Sequence, residues 1–327
     1  MKLWVVSRQN MMLTGEPSMM DDGESQSMCS AAERWTVITG STGGIGAEIA
    51  SQLLSREKAV VLVNRSREKS IAQRQVLQQR HPNATIEICT ADLMDAAQIT
   101  VVCEQLEQLP GRIEALYNNA GVLTSEHILS VQGYESQFAV NVLAPYQFTM
   151  GLLQKMARES DDDPAMVVNF SSSAISHPKF LDMGGLANPE SVGGLLSTYA
   201  QTKLAATALA PALAPRLASE NVLIRAIDPG ATKTKMTTGP GTSGMPTVIR
   251  WLAPLFFAPA EKQAAKIIAS AEPGALDGGS GIFVANKQQK PLPASIDDPV
   301  LQRDLLELLS ECLAELQAIE TAGGHGS

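Results

Sequence analysis

Apolar and polar positions follow two different rhythms along the chain. From Arg34 onward, short and almost entirely apolar runs are separated by longer segments in which apolar residues recur every three or four positions. The short runs are typical of strands buried on both faces of a sheet, and the longer segments are typical of helices. The predicted strands are Trp35–Thr39, Ala59–Asn64, Ala84–Cys89, Ile113–Asn118, Ala165–Phe170, Val222–Ile227 and Gly281–Val284. The predicted helices cover residues 45–57, 67–80, 95–108, 133–159, 196–219 and 260–271.

Strands and helices therefore alternate over most of the chain. Parallel strands need a long crossover, and a helix is the usual one, so this order predicts βαβ units with right-handed crossovers. The expected fold class is α/β, with a doubly wound, seven-stranded parallel sheet and helices on both faces. We expect one domain over residues 33–290 to contain all of these elements.

Three segments lie outside this alternation. Residues 1–32 are rich in Met, Ser and acidic residues without periodicity, and we expect a disordered extension there. Residues 231–258 are rich in Gly and Pro and contain the apolar stretch Trp251–Phe257. This segment is long for a simple connection, which predicts a substrate loop or lid. Residues 291–327 form a C-terminal helix and tail.

The C-terminal helix, predicted over Asp298–Ala318, is amphipathic. Its apolar stripe consists of Leu301, Leu305, Leu308, Cys312, Leu316 and Ile319. Packing on the surface of its own domain is the simpler interpretation, and contact with a partner or a membrane is the alternative.

Composition excludes several classes of function. The chain has 327 residues and a formal net charge of −9, which disfavours nucleic acid and anionic membranes as partners. The four cysteines and four histidines are scattered, so we expect neither a disulfide framework nor a metal site. No apolar run approaches the roughly 18 residues of a membrane span, and Met1–Val6 is too short for a signal-peptide core. A cytoplasmic location is the expectation.

A glycine-rich turn follows the first predicted strand and leads directly into a helix. Its sequence is Thr39-Gly-Ser-Thr-Gly-Gly-Ile-Gly46. Glycine lets the backbone turn tightly and approach a pyrophosphate, which then lies against the free N–H groups of the helix N-terminus. An ordinary strand-to-helix turn is the alternative, but a position after the first strand of a βα unit favours dinucleotide binding.

The end of the second predicted strand bears on the kind of dinucleotide. An acidic residue there would bind a ribose 2′-OH and repel a 2′-phosphate, but this chain has Asn64 and Arg65. A neutral and a cationic residue favour NADP(H). A surface Arg at a helix start is the alternative for Arg65. Asp92, after the third strand, either contacts the adenine amine or caps the following helix.

A phenol and an ammonium lie four residues apart in Tyr199-Ala-Gln-Thr-Lys203, near the start of a predicted helix. This spacing places both groups on one helix face. A nearby cation favours the phenolate, and it therefore moves the tyrosine pKa towards values at which it exchanges a proton with a carbonyl oxygen. Alone, this pair occurs by chance in many helices.

Further polar groups follow the other central strands. Asn118–Gly121 follow the fourth strand, Asn169–Ser173 end the fifth, and Asp228–Thr234 follow the sixth. Open α/β sheets bind ligands at the carboxyl ends of their strands, so these groups predict one site at that edge.

In this order the motifs resemble those of the short-chain dehydrogenase/reductase family, over roughly residues 34–285. The pattern is T-G-x-x-x-G-x-G, N-N-A-G, an Asn in the following helix, Ser, Y-x-x-x-K and P-G-x-x-x-T. The resemblance implies a Rossmann fold with Tyr199 as the catalytic general acid/base. It implies that Lys203 binds the nicotinamide ribose and lowers the tyrosine pKa. Ser172 would polarise the carbonyl, with Ser173 as the alternative.

The same resemblance implies the remaining site residues. Asn141, in Val140-Asn-Val-Leu, matches the asparagine that supports a proton-relay water, and Thr234 matches the threonine near the carboxamide. The implied NADP(H)-binding residues are Gly40, Ser41, Thr42, Gly44, Ile45, Gly46, Asn64, Arg65, Asp92, Leu93, Asn119, Ala120, Gly121, Tyr199, Lys203, Pro229, Gly230, Thr232 and Thr234.

The spacing of the catalytic residues bears on the substrate. Ser172 and Tyr199 are 27 positions apart, which is farther than in much of the family. The intervening Ile175–Leu196 resembles the retinol-dehydrogenase-like branch, and this implies a small, lipophilic carbonyl or alcohol substrate. That branch often associates with membranes, so peripheral membrane contact is an alternative although no transmembrane segment is predicted.

Two prolines bear on the oligomeric state. Pro211 and Pro215 lie in the helix that carries Tyr199, and an interior proline kinks or ends a helix at a cost of about 3 kcal/mol. In many family members this helix packs across a dimer interface, so we expect a monomer or an atypical dimer.

Two other functions fit the same fold. One is a non-catalytic NADPH-binding regulatory or scaffold protein, and the other is an epimerase or dehydratase. A binding module would need only the nucleotide end, so the presence of Ser172, Tyr199 and Lys203 favours an enzyme.

Overall fold

The computed structural model describes residues 34–124, 126–158, 163–188, 194–232, 258–277 and 279–323. The predicted extension 1–32, most of the predicted loop 231–258 and the tail 324–327 lie outside the described residues.

One sheet forms the centre of the described part of the chain. Its strands are β1 (Arg34–Thr39), β2 (Ala59–Asn64), β3 (Ile86–Thr90), β4 (Arg112–Asn118), β5 (Ala165–Phe170), β6 (Val222–Asp228), β7 (Ile282–Ala285) and β8 (Gln288–Lys290). Their order is β3-β2-β1-β4-β5-β6-β7-β8, and β1 to β7 are parallel. The chain reverses direction across the sheet between β1 and β4, which opens a crevice at the carboxyl edge. The predicted doubly wound α/β fold is confirmed.

Helices connect the strands. They are α1 (Gly44–Leu54), α2 (Arg67–Arg80), α3 (Ala96–Glu107), α4 (Ser136–Phe138), α5 (Ala144–Gly151), α6 (Leu153–Met156), α7 (Met183–Leu186), α8 (Leu195–Ala218), α9 (Ala260–Ala271) and α10 (Pro299–Gly323). The predicted helix 133–159 is divided into α4, a π-helical turn over Ala139–Leu143, α5 and α6.

The core has two layers, one on each face of the sheet. Helices α3, α5, α8 and α10 contribute to one apolar cluster, and α1 and α9 contribute to the other. Side chains of a strand point alternately to the two faces. In β6, Ile224 and Ala226 belong to the α8 layer, whereas Ile227 belongs to the α9 layer.

The eighth strand is a difference from the prediction of seven. Strand β8 pairs antiparallel with β7 through Asn286 and Lys287, whose φ angles are 52° and 64°. Two left-handed residues in succession form the tight turn that matches the twist of a hairpin. No apolar run marks β8 along the chain, because its three residues are polar.

Helix α8 is continuous through Pro211 and Pro215, so the prolines do not end it. The turns around them bury Leu209, Leu213 and Leu217 in the core. This packing stabilises the second half of the helix. It compensates for the two backbone N–H groups that Pro211 and Pro215 lack.

Helix α10 packs on its own domain, as the simpler of the two interpretations predicted. Leu305, Leu309 and Cys312 are buried in the cluster that contains α8. Tyr146 of α5 also shares a hydrogen bond with Ser310, 3.0 Å between the hydroxyl oxygens. In the described part of the chain, no helix is both long and apolar enough to cross a bilayer.

Candidate active site

The predicted polar segments meet at the carboxyl edge of the sheet. Strands β1, β4, β5 and β6 are neighbours, so the turns after them lie side by side. The glycine turn follows β1, and Asn119, Ser172 and Asp228 come from the next three strand ends.

Tyr199 and Lys203 lie one turn apart on α8. The Lys203 ammonium is 5.9 Å from the centroid of the Tyr199 ring, and it donates a 2.8 Å hydrogen bond to the Phe170 carbonyl. The Ser172 side chain hydrogen-bonds Tyr199, whereas Ser173 begins a short 3₁₀ turn. The structure therefore brings Ser172, Tyr199 and Lys203 together.

Burial dominates the proton affinities of this group. Desolvation raises the pKa of Tyr199, the hydrogen bond with Ser172 lowers it in part, and the charge of Asp228 raises it further. Burial lowers the pKa of Lys203 to about 8, and Asp228 acts in the opposite direction. Both effects of burial favour the neutral form. The resemblance implied a lowered tyrosine pKa, whereas the net shift of the Tyr199 pKa here is upward, because desolvation by burial is its largest cause.

Asn141 lies in the π-helical turn between α4 and α5, a kind of distortion that is frequent at functional sites. Its amide nitrogen donates to the Val122 carbonyl at 3.0 Å and to Thr202 Oγ1 at 3.1 Å. Its Oδ1 accepts a 2.8 Å hydrogen bond from the Val122 N–H. Because Thr202 belongs to α8, these bonds tie the π turn to the helix that carries Tyr199.

A buried hydroxyl pair anchors α8 to β5. Thr207 Oγ1 donates to the Lys203 carbonyl at 2.7 Å, and it lies 2.7 Å from Ser171 Oγ. Sequence reasoning missed Ser171, Thr202 and Thr207 as supports of the site, since a lone hydroxyl in a helix gives no signal of its partner.

Glycine is required at two positions of the glycine turn. Gly40 has a φ of +67°, and an added Cβ would lie 2.8 Å from Ala120 Cα. A Cβ at Gly46 would lie 2.5 Å from Asn119 Nδ2. That amide donates to the carbonyls of Thr39 at 2.8 Å and Gly40 at 3.0 Å. The N-N-A-G segment, which ends in Gly121, thus packs directly against the turn.

The N-terminus of α1 fits a bound phosphate. No side chain caps this helix, so its first N–H groups remain for another acceptor. Ser41 is buried beneath the turn, and Thr42 and Gly43 are exposed. Gly44 and Ile45 begin the helix itself. A helix N-terminus attracts anions, and nothing lies within 4 Å of a Cβ added at Gly43, so a pyrophosphate could approach the backbone there.

Asn64 and Arg65 differ in their availability to a ligand. Asn64 is buried, and its Oδ1 accepts a 2.6 Å hydrogen bond from the Ser41 N–H. Its Nδ2 donates to Ser41 Oγ at 3.0 Å and to Ser70 Oγ at 3.1 Å. Arg65 is exposed, and it has no hydrogen bond or ion pair with another described residue. Asn64 holds the glycine turn, and Arg65 is free to bind a ligand.

Asp92 does not cap α3, so this alternative is wrong. Asp95 caps the helix by accepting a 3.1 Å hydrogen bond from the Ala97 N–H. Asp92 instead accepts from the Met94 N–H at 3.1 Å, next to half-buried Leu93. Its contact with an adenine stays a prediction.

The turn after β6 is closed by its own residues. Asp228 Oδ1 accepts a 2.8 Å hydrogen bond from the N–H of Gly230, which follows Pro229, and Thr232 Oγ1 donates to the Gly230 carbonyl at 2.9 Å. Thr234 lies outside the described residues, so its role stays a prediction. Asp228 acts on the charges of Tyr199 and Lys203, and sequence reasoning assigned it no role.

The fold and this site define a class of α/β proteins that bind a dinucleotide at the carboxyl edge of a parallel sheet. Within that class, the model of the short chain dehydrogenase family matches residues 34–242. The chain belongs to the short chain dehydrogenase family, a family of oxidoreductases.

Known relatives agree with this assignment. Retinol dehydrogenase 13 of Homo sapiens is 28% identical over 274 residues, which cover 82% of this chain and 81% of that protein. Short-chain dehydrogenase TIC 32 A, chloroplastic, of Brassica napus is 32% identical over 207 residues, which cover 61% of this chain and 64% of that protein. The resemblance to the retinol-dehydrogenase-like branch is confirmed.

A solved structure shares the fold. The short-chain dehydrogenase from Sphingobium yanoikuyae in complex with NADPH matches with a TM-score of 0.57 and 22% sequence identity. The match covers 72% of this chain and 84% of that one.

Proposed function

We propose that the protein is an NADP(H)-dependent oxidoreductase that interconverts a carbonyl compound and an alcohol by hydride transfer. The observation that carries this proposal is the group at the carboxyl edge of the sheet. There, Ser172 hydrogen-bonds the half-buried Tyr199, and the Lys203 ammonium lies 5.9 Å from the tyrosine ring. The glycine turn lies at the same edge, so cofactor and substrate would meet beside this group.

Tyr199 exchanges the proton of the reaction. In reduction its hydroxyl donates a proton to the substrate oxygen, and in oxidation the phenolate takes the proton back. Ser172 binds the same oxygen and holds it against Tyr199. A nicotinamide bound at this edge would supply or accept the hydride.

Two further residues support this proton transfer. Lys203 places a positive charge next to the phenolate, which would otherwise be costly to form in a buried site. Asn141, fixed by its bonds to Val122 and Thr202, would support the water through which Tyr199 recovers its proton.

The choice of NADP(H) rests on Arg65. A guanidinium is suited to a 2′-phosphate, and Arg65 is exposed at the end of β2. The similar structure from Sphingobium yanoikuyae was solved with NADPH, which supports the same choice. Asn64 contributes indirectly, because it holds the turn through Ser41.

A lipophilic substrate is supported by the segment between Ser172 and Tyr199. Gln201 of α8 binds this segment through the Phe180 carbonyl and the Asp182 N–H, each at 3.1 Å. The side chains of Phe180 and Leu196 are 66% and 58% exposed. They offer apolar surface on the segment that adjoins the catalytic helix, and the similarity to a retinol dehydrogenase points to the same kind of substrate.

The test is an assay of NADPH consumption with aldehydes and ketones of graded apolar length. We expect kcat/KM to rise with apolar length, and Tyr199→Phe to bind NADPH while its turnover falls by about 10²- to 10⁴-fold. Tyr146→Phe is the matched control, since that hydroxyl bonds Ser310 away from the site, and it should retain wild-type turnover.

Two outcomes would contradict the proposal. NADPH binding without turnover of any substrate in the panel would indicate a regulatory or scaffold protein. Substrate conversion without net NADPH consumption would indicate an epimerase or dehydratase.

A further inference from the structure

Asp228 ends β6 on the same face of the sheet as α8. Val222, Ile224 and Ala226 lie in the α8 layer of the core, while Arg225 bonds carbonyls at the end of α9 on the other face. Because side chains alternate along a strand, Asp228 shares the face of Ala226. Its carboxylate therefore lies on the side of the sheet where α8 carries Tyr199 and Lys203.

The strand register brings Asp228 close to the catalytic lysine. Ile227 pairs with Phe170 in the sheet, and the Phe170 carbonyl accepts the hydrogen bond from the Lys203 ammonium. Asp228 is thus one residue beyond the strand position to which Lys203 is bonded. It is half-buried, and its Oδ1 is fixed by the Gly230 N–H at 2.8 Å.

The Lys203 ammonium has no ion-pair partner within 4.0 Å in the part of the chain that the structure describes. The residue is buried at 5% exposure. A buried ammonium without an anion nearby tends to lose its proton.

We infer that Asp228 is a positioning residue that keeps Lys203 charged and Tyr199 protonated into the alkaline range. It thereby sets the upper pH limit of carbonyl reduction. This role rests on the proposed function. A carboxylate would stabilise the ammonium through space and would oppose formation of a phenolate, because both effects follow from its negative charge.

The electrostatics of the site agree with this role. Asp228 raises the pKa of Lys203 against burial, and it raises the pKa of Tyr199 as well. In return, Lys203 lowers the pKa of Asp228, which burial raises. Two further cations, Lys266 of α9 and Lys287 of the hairpin, border a small cavity that the end of β6 lines on the α9 face of the sheet.

The test compares three variants. Asp228→Asn removes the charge but keeps an oxygen that can accept from Gly230, and Asp228→Glu keeps the charge. Asp95→Asn removes one charge at the N-terminus of α3, on another connection, where Asn caps a helix as well as Asp does.

Two measurements apply to each variant. The first is the titration midpoint of Lys203 by NMR of ¹³Cε-labelled lysine, with the signal identified by its absence from Lys203→Arg. The second is the pH profile of kcat/KM for NADPH-dependent reduction. In Asp228→Asn we expect the Lys203 midpoint and the alkaline limb of the profile to fall together, by roughly half a pH unit to one unit. Asp228→Glu and Asp95→Asn should remain near the wild type.

Coinciding Lys203 midpoints in wild type and Asp228→Asn would overturn the inference, whether or not the protein turns over a substrate. If the Lys203 midpoint is lower in Asp228→Asn than in the wild type, but the wild-type protein reduces no substrate, the electrostatic role is supported and the proposed function is contradicted. Failure of the inference about Asp228 and failure of the proposed function are therefore distinguishable.

Discussion

At the scale of single residues, neighbours in sequence have different tasks. Asn64 and Arg65 both end β2, and the sequence suggested that both bind the cofactor. In the structure, the Asn64 amide hydrogen-bonds Ser41 and Ser70, whereas Arg65 is exposed. The identity of a side chain does not reveal its hydrogen-bond partners, because these come from segments distant in sequence.

This division of tasks predicts opposite effects for two alanine variants. Asn64→Ala should lower the free energy of unfolding by about 1–3 kcal/mol, since it leaves the Ser41 N–H without its acceptor. Arg65→Ala should leave that stability unchanged, because the side chain is exposed. Urea denaturation of the cofactor-free protein measures both. Equal stability losses in the two variants would show that Asn64 does not hold the turn.

Cofactor binding gives the complementary prediction. Arg65→Ala should weaken NADPH binding by roughly 10- to 100-fold. This corresponds to the loss of a hydrogen bond to a charged group, which contributes about 1.5–3 kcal/mol. NADH lacks the 2′-phosphate, so its affinity should not change and serves as the control. Titration calorimetry with both cofactors measures the difference. An equal loss for NADPH and NADH would argue against a contact between Arg65 and the phosphate.

The catalytic group was predictable from the sequence to a large extent. The spacing of Tyr199 and Lys203 alone would not have sufficed, and their roles followed from the resemblance of all the motifs to the family. Ser172 was implied in the same way, with Ser173 left open.

The support of this group was not predictable. Thr202 contacts Asn141 of the π-helical turn, and the charge of Asp228 at the end of β6 acts on Tyr199 and Lys203. Both depend on how distant segments pack against α8, and no motif marks them.

At the scale of elements, the apolar strands were easier to predict than the elements that depart from the regular alternation of strands and helices. Six of the connections follow the simple alternation, but β8 is a short polar strand whose pairing depends on the left-handed turn at Asn286 and Lys287. The π-helical turn at Asn141 also gave no periodic signal. Helix α8 continues through two prolines because its buried leucines compensate for the missing donors.

Close packing between α8 and the segment before β7 predicts an effect at Gly281. Gly281 has a φ of +75°, and an added Cβ would lie 3.0 Å from Ala214 Cβ and 3.4 Å from Pro211 Cα. Gly274 has a φ of +76° with nothing within 4 Å of an added Cβ, so it is a matched control for backbone strain alone.

We therefore expect Gly274→Ala to cost about 1–2 kcal/mol from the left-handed backbone. Gly281→Ala should cost a further 1–3 kcal/mol or so, because the methyl group overpacks the contact with α8. Chemical denaturation compares the two variants. Equal costs would mean that α8 does not approach Gly281 as closely as the structure shows.

At the scale of the whole molecule, α10 completes the layer that contains α8. Leu305 and Leu309 are fully buried, and Tyr134 extends the contact by donating a 3.0 Å hydrogen bond to Glu315. The described part of the apolar stripe, from Leu301 to Cys312, is therefore used within the chain. The sequence alone could not decide this, because the same stripe would also fit a partner or a membrane surface.

Coverage of α8 by α10 leads to a prediction about the oligomeric state. A helix face that is already packed by the chain itself is not available to a second copy, so we expect a monomer. Light scattering at low micromolar concentration should give a mass near 34.7 kDa for the chain. A tetramer mass would contradict both this expectation and the earlier one of a monomer or an atypical dimer.

The central claim is that Tyr199 and a bound nicotinamide together reduce a carbonyl group. The most direct measurement follows deuterium from C4 of labelled NADPH into the product. We predict that the wild-type protein transfers the label to the carbonyl carbon, and that Tyr199→Phe binds the same cofactor but transfers it about 10²- to 10⁴-fold more slowly. A product without deuterium, or equal transfer rates in the two proteins, would contradict the account.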